Sequence, residues 1–255
     1  MSRLSDLVAD LRMGLAFYTR LPLGLPPLEG GGLARGLWTG PIAGALVGLL
    51  GACAYRIGDA LGLPTWLAAT FAVVTTLVVT GCLHEDGLAD TVDGFGGGAT
   101  RERKLEIMRD SRIGTYGVCA LIVSLLLRVG AIASLTEPIL VLSALIAAHA
   151  ASRAAIPPFM MFVPPARTDG LSARAGRLSG LCVAMAVVLG AIALGAGLGP
   201  SVGMTALVLV GLASGAIAWL CLRQIGGQTG DVLGALQQTN EILVLVTAAA
   251  MAGAS

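Results

Sequence analysis

Charge is scarce in this chain: 12% of its 255 residues are Asp, Glu, Lys or Arg, where an ordinary soluble domain carries about a quarter. Aromatic residues are rarer still at 4%, which excludes a soluble core built on large rings. The formal net charge of +1 leaves no basic surface and argues against nucleic acid as a partner. Five cysteines, Cys53, Cys82, Cys119, Cys182 and Cys221, stand far apart with neither metal-knuckle nor redox spacing, and are expected to be small buried apolar residues. No period of repeat-protein length occurs, and low complexity is confined to Gly96-Gly97-Gly98, so residues 1–255 read as a single domain.

Hydrophobic residues, by contrast, make up 56% of the chain and set its mean hydropathy at +0.86, so the expected solvent is a lipid bilayer. Glycine and alanine are plentiful, which suits helices that pack backbone to backbone in lipid. The expected fold class is all-α, a polytopic helical bundle. A span needs roughly 20 mostly apolar residues, and seven stretches meet or approach this: 37–61, 65–83, 116–135, 139–159, 181–198, 202–222 and 242–254. The last is short unless its helix begins near Asp231. Before them, Leu4, Leu7, Val8, Leu11 and Leu15 alternate with Arg3, Asp6, Asp10 and Arg12 at helical spacing. That pattern describes either an amphipathic helix on the membrane surface or a helix packed against the bundle.

Threading the spans alternately gathers Arg3, Arg12, Arg20, Arg35, Arg101, Arg103, Lys104, Arg109, Arg112, Arg167, Arg174, Arg177 and Arg223 on one face, while the opposite turns near Pro64, Pro138 and Pro200 carry no Lys or Arg. By the positive-inside rule the basic face is cytoplasmic. Arg56 and Arg128 fall near outer span ends, where a long side chain can snorkel, and Arg153, before Pro157-Pro158, lies near the inner face and can meet an anion. Gly36, Gly40, Gly44 and Gly48 leave one helical ridge bare for a neighbouring backbone.

The run Gly81-Cys82-Leu83-His84-Glu85-Asp86-Gly87-Leu88-Ala89-Asp90-Thr91-Val92-Asp93-Gly94 holds the densest chemistry. As a helix it places Asp86, Asp90 and Asp93 on one face, and carboxylates so gathered repel unless a hard divalent cation such as Mg²⁺ sits among them. A solvated acidic loop is the plainer reading. The glycines after it can present backbone N–H groups to an anion, act as a hinge, or simply link. Thr100 can then cap a short helix bearing Arg101, Arg103 and Lys104. Aspartates for a metal beside arginines for phosphate are what transfer between phosphorylated substrates requires. A second polar island, 226–241, carries Asp231, Gln238 and Glu241 in one broad helical sector, as intramembrane carboxylates or as structural hydrogen-bonding groups.

The run His84 to Gly94, followed by Arg103-Lys104-Leu105-Glu106-Ile107-Met108-Arg109-Asp110-Ser111-Arg112-Ile113-Gly114-Thr115-Tyr116-Gly117, resembles the signature of the cobalamin synthase family, also called adenosylcobinamide-GDP ribazoletransferase. The likeness extends to Thr19-Arg20-Leu21-Pro22, Ser152-Arg153, Ala166-Arg167, Gly170-Leu171, Thr229-Gly230-Asp231, Leu233-Gly234-Ala235 and Glu241. It implies a bacterial or archaeal inner-membrane enzyme with its active site facing the cytoplasm, joining adenosylcobinamide-GDP to α-ribazole or its 5′-phosphate, with release of GMP and a need for Mg²⁺. On that likeness Asp86, Asp90 and Asp93 are the metal ligands, Asp231 and Glu241 complete the cage or supply the general base, and His84 borders the site. Arg109, Arg112, Arg153 and Arg167 are the phosphate contacts. Without the Asp-x-His-x2-Gly arrangement that replaces the lower base in some B12 enzymes, the corrin is expected to be held from its periphery. A homo-oligomer stays open.

Two other readings compete. A CDP-alcohol phosphotransferase needs Asp-Gly-x2-Ala-Arg and then Gly-x3-Asp-x3-Asp, whereas Asp86-Gly87-Leu88-Ala89 is followed here by Asp90 and the second element is missing. A secondary transporter would use Asp86, Asp90, Asp231 and Glu241 for coupling ions near broken helices, but the halves of the chain show no clear repeat.

Overall fold

A computed structural model describes residues 3–24, 32–170, 176 and 178–252. Leu171, Arg174 and Arg177, and the last two residues of the expected final span, lie outside the described residues. Helix is the only extended secondary structure among the described residues, interrupted by one isolated bridge between Pro165 and Gln228. In chain order the helices are α1 (Arg3–Tyr18), α2 (Gly32–Gly36), α3 (Gly40–Ala60), α4 (Thr65–Thr80), α5 (Leu83–Gly97), α6 (Arg101–Ile107), α7 (Thr115–Leu135), α8 (Pro138–Ala154), α9 (Ile156–Phe162), α10 (Gly180–Leu198), α11 (Pro200–Ile225) and α12 (Gly230–Ala252).

Six helical stretches are long and apolar enough to cross a bilayer, and α4 with α5 supplies a seventh if that bent pair counts as one span. The expected all-α polytopic bundle is therefore what forms. The 65–83 stretch ends early. Gly81 takes a left-handed φ of +64° to cap α4, Cys82 follows at +57°, and α5 leaves at 89° to α4. A non-glycine residue in that region is uncommon and costs energy, so the bend at Cys82 is imposed by its surroundings. Its effect is to turn the acidic motif away from the direction of α4. At the other end of the chain, α12 starts at Gly230, which brings Asp231 and Glu241 into one continuous helix as the length argument required.

The glycine ridge on α3 meets α8. A Cβ at Gly44 or Gly48 would collide with the backbone carbonyls of His149 and Leu145, so the two backbones touch where lipid-soluble helices gain from close contact. Helix α8 is central, its neighbouring alanines Ala147, Ala148 and Ala150 being fully enclosed, whereas most of α10 and α11 faces outward. At the N-terminus both readings of the amphipathic pattern hold together. Asp10 is buried and accepts from Arg35 Nε at 2.7 Å and Trp38 Nε1 at 3.1 Å, while Leu4, Leu7 and Val8 remain exposed, as suits a helix lying in a membrane interface.

The two arginines expected to snorkel differ. Arg56 is exposed and pairs with Asp59 at 3.0 Å near the end of α3. Arg128 is buried to 2% exposure and does not snorkel, because two carboxylates inside the bundle hold its guanidinium.

Candidate active site

Helices α5 and α12 meet backbone to backbone. A Cβ on Gly87 would lie 2.8 Å from the carbonyl oxygen of Asp231, and one on Gly234 would lie 3.0 Å from that of His84. Both glycines are therefore required for the approach that sets Asp86 beside Asp231. A third segment joins them. Ala166 N donates to Gln228 O and Gln228 N to Pro164 O, each at 2.8 Å, which brings the loop after α9 against the turn before α12. Arg101 closes this junction, its Nε donating to Ile225 O and its Nη2 to Ala166 O, both at 2.7 Å. Arg101 thus spends its hydrogen bonds on backbone carbonyls. Held this way, Arg167 Nη2 reaches Asp231 Oδ2 at 3.4 Å, where Thr229 Oγ1 also donates at 3.1 Å.

Two clefts flank the first turns of α5 and share Asp86. The first, about 260 Å³, has His84, Asp86, Arg167 and Asp231 in its wall together with Tyr18 and several aliphatic side chains. Tyr18 stacks on His84, the rings 5.9 Å apart and 14° from parallel. Burial pushes the Tyr18 phenol well above its ordinary pKa, so it stays neutral, and its hydroxyl has no hydrogen-bond partner among the described residues. The second cleft, about 530 Å³, is lined by Asp86, Asp90, Arg109, Asp110 and Ser111.

The three motif aspartates part company here. Asp93 is buried, and its two oxygens accept from Gly114 N at 2.7 Å and Gly117 N at 2.8 Å, so it caps the start of α7. Asp86 is exposed and Asp90 half-buried, and neither accepts a hydrogen bond from the described residues. Asp86, Asp90 and Asp231 are close enough to repel one another, with Arg167 as the nearest opposing charge. No group of three or more His, Cys, Asp or Glu among the described residues stands ready to hold a metal ion. Of the expected Asp86-Asp90-Asp93 triad, Asp86 and Asp90 stay open, while both oxygens of Asp93 are taken by α7 amides. A pair still fits Mg²⁺, which is commonly held by one or two carboxylates with substrate phosphates and water.

Glu241 and Arg153 are drawn inward instead. Glu241 sits 2.9 Å from both Arg128 Nε and His149 Nδ1 and accepts from Gln237 Nε2 at 2.7 Å. Arg153 is 1% exposed and donates to His149 O at 3.0 Å, so it lines neither cleft. Arg128 also pairs with Glu85 at 2.8 Å, and Glu85 in turn accepts from Gln238 Nε2 at 3.0 Å. Of the remaining arginines, Arg109 chelates Asp169 through two contacts of 2.7 Å at the rim of the second cleft. Arg112 is exposed and grips Asp110, whose carboxyl its hydrogen bonds pull down to about 2. Thr100 caps α6 as expected, accepting from Arg103 N at 3.2 Å.

Sequence reasoning passed over Tyr18, Arg101, Glu85 and Arg128. Glu85 and Tyr18 do carry a signal, since one lies inside the acidic motif and the other precedes Thr19-Arg20-Leu21-Pro22. Arg101 and Arg128 had none that separates them from ordinary surface or span-end cations.

Fold and site together define a polytopic membrane enzyme whose carboxylates and a guanidinium line two clefts that share Asp86. The family model for cobalamin-5-phosphate synthase matches residues 10–249, and the chain belongs to that family. A Bradyrhizobium diazoefficiens protein named adenosylcobinamide-GDP ribazoletransferase is 56% identical over 246 residues, 96% of this chain and 95% of its own length. Relatives of the same name from Mesorhizobium japonicum and Azorhizobium caulinodans are 52% and 48% identical, covering 95% and 96% of this chain and 93% and 96% of theirs. No solved structure matches the chain.

Proposed function

We propose that this chain joins adenosylcobinamide-GDP to α-ribazole, or to its 5′-phosphate, and releases GMP. The observation that carries the reading is the grouping of Asp90, Asp231 and Arg167 around Asp86, the residue that two neighbouring clefts share. A ribazole sugar hydroxyl attacks the phosphorus next to cobinamide, the bond from that phosphorus to the oxygen bridging to GMP breaks, and GMP departs with the bridging oxygen. Asp231 is placed to take the hydroxyl proton, and Arg167 to bind phosphate oxygens while holding Asp231 in position. Mg²⁺, held by Asp86 and Asp90, would supply neutralising charge to the diphosphate.

Arg109 and Arg167 line these clefts, and the positive-inside rule supports a reading in which this basic side faces the cytoplasm across an inner membrane. Purified protein in detergent, given adenosylcobinamide-GDP and α-ribazole, should release GMP only when Mg²⁺ is present. Absence of GMP release at any Mg²⁺ concentration would refute the transfer reading. The same assay separates it from ion-coupled transport, which produces no GMP.

A further inference from the structure

Resting on the transfer reaction proposed above, we infer that the two clefts divide the substrates between them: the smaller takes the benzimidazole riboside, and the larger takes the guanosine end of the diphosphate donor. Three features of the walls favour this division over its reverse.

The smaller cleft is largely apolar. Phe17, Leu37, Leu83, Ile156, Met160 and Leu233 line most of its volume of about 260 Å³, and its charged groups are Asp86, Arg167 and Asp231. A benzimidazole is flat and apolar, and once joined to a sugar it keeps one ring nitrogen as a hydrogen-bond acceptor. Tyr18 and His84, stacked on each other and almost fully buried, back this wall with ring surface. Guanine, with several donors and acceptors on its edge, would leave most of them unpaired against these walls, which is costly. The larger cleft, about 530 Å³, is lined by Glu85, Asp90, Arg109, Asp110, Ser111 and Ser124 beside aliphatic groups, so it offers the edge of a guanine more polar partners, and its acidic balance requires a cation beside a nucleotide's phosphate.

The placement of Asp231 agrees. It borders the smaller cleft and not the larger, so the group suited to accept a proton stands with the substrate that brings the hydroxyl. Arg167 shares that cleft, and its Nη1 has no hydrogen-bond partner among the described residues. A 5′-phosphate on the riboside would supply one. Asp86, common to both clefts, marks where the hydroxyl and the diphosphate meet.

The test uses tryptophans at positions that have room to accept them. Leu83 and Met160 line the smaller cleft and Ile113 the larger, and none of the three is fully buried. Purified full-length protein in detergent with Mg²⁺ is titrated calorimetrically with α-ribazole and, separately, with GMP, neither of which turns over alone. Leu83→Trp and Met160→Trp should each weaken α-ribazole at least tenfold and leave GMP within twofold, while Ile113→Trp should do the reverse. Loss of GMP binding in the first pair, or equal losses of both probes in all three variants, would overturn the assignment. Turnover of the wild type keeps the two claims apart: if GMP release is intact while the division fails, only the cleft assignment falls. A wild type that releases no GMP refutes the reaction, and this assignment with it.

Discussion

Two groups of ionised side chains lie on either side of the first turn of α5, one sealed inside the bundle and one open to solvent, and they are held by opposite means. Inside, Glu85 and Glu241 surround Arg128, with Gln237, Gln238, His149 and Thr76 taking up further hydrogen-bonding capacity. Burying charge is expensive unless each ion has a partner, so this group is tolerated only because it is densely paired. Outside, Asp86, the very next residue after Glu85, accepts no bond from the described residues, and Asp90 is equally free. Proximity without partners raises the energy of the unliganded state there, and a cation or a phosphate-bound metal relieves it. The contrast teaches that in this membrane protein a charge sealed inside the bundle is spent on architecture, whereas one that faces a cleft is free to meet a ligand.

The comparison breaks most visibly at Asp231. Asp231→Asn keeps the side chain's size but removes a proton acceptor, so GMP release should fall by about 10²- to 10⁴-fold, the usual worth of general acid–base catalysis. Thermal midpoint and yield should stay close to wild type. A variant that unfolds, or one that turns over normally, would move Asp231 to the architectural side.

Arg128→Ala should behave oppositely. It strands Glu85 and Glu241 without their shared cation, and removing one member of a buried ion pair costs about 3 to 5 kcal/mol. Folded yield and thermal midpoint in detergent should drop sharply. Wild-type stability would mean that the sealed network does not hold the bundle together.

Arg167→Ala should fall between these extremes. Losing a hydrogen bond to a charged group costs about 1.5 to 3 kcal/mol, expected as a raised KM for the phosphate-bearing substrate with folding unchanged. An unaltered KM for both substrates would remove Arg167 from the site.

The aspartates of α5 sharpen the comparison within a single helix. Asp93→Ala removes a helix cap and should cost about 0.5 to 2 kcal/mol of stability while leaving the Mg²⁺ requirement as it was. Asp90→Asn should leave stability alone and raise the Mg²⁺ concentration needed for half-maximal activity. Interchanged results would return Asp93 to the metal site. Smallest of all is Arg112→Ala, since solvent screens an exposed ion pair and leaves it little stabilising effect. Its Asp110 carboxyl, held down to about 2 by Arg112, should titrate at a higher pH in the variant, as carboxylate-resolved NMR would record. The pair's contribution is present above the ordinary carboxylate range and is lost as pH falls toward 2.

Much of this molecule is decided by composition and period alone. Sparse charge and long apolar runs require a bilayer and helices that satisfy their own backbone hydrogen bonds. The length of the last apolar run already demands that its helix begin near Asp231, and α12 begins at Gly230. Spacing likewise puts Asp86, Asp90 and Asp93 in one helix, and the glycine ridge on α3 announces a close neighbour. What period cannot say is what each face meets. Asp93 becomes a cap because α7 starts against it, through amides 21 and 24 residues away, and Glu85 becomes an internal anion because Arg128 and Gln238 reach it from 43 and 153 residues away. A carboxylate's role depends on whether its surroundings offer it a donor, a cation or water, and those surroundings come from distant helices whose positions only the packed bundle establishes.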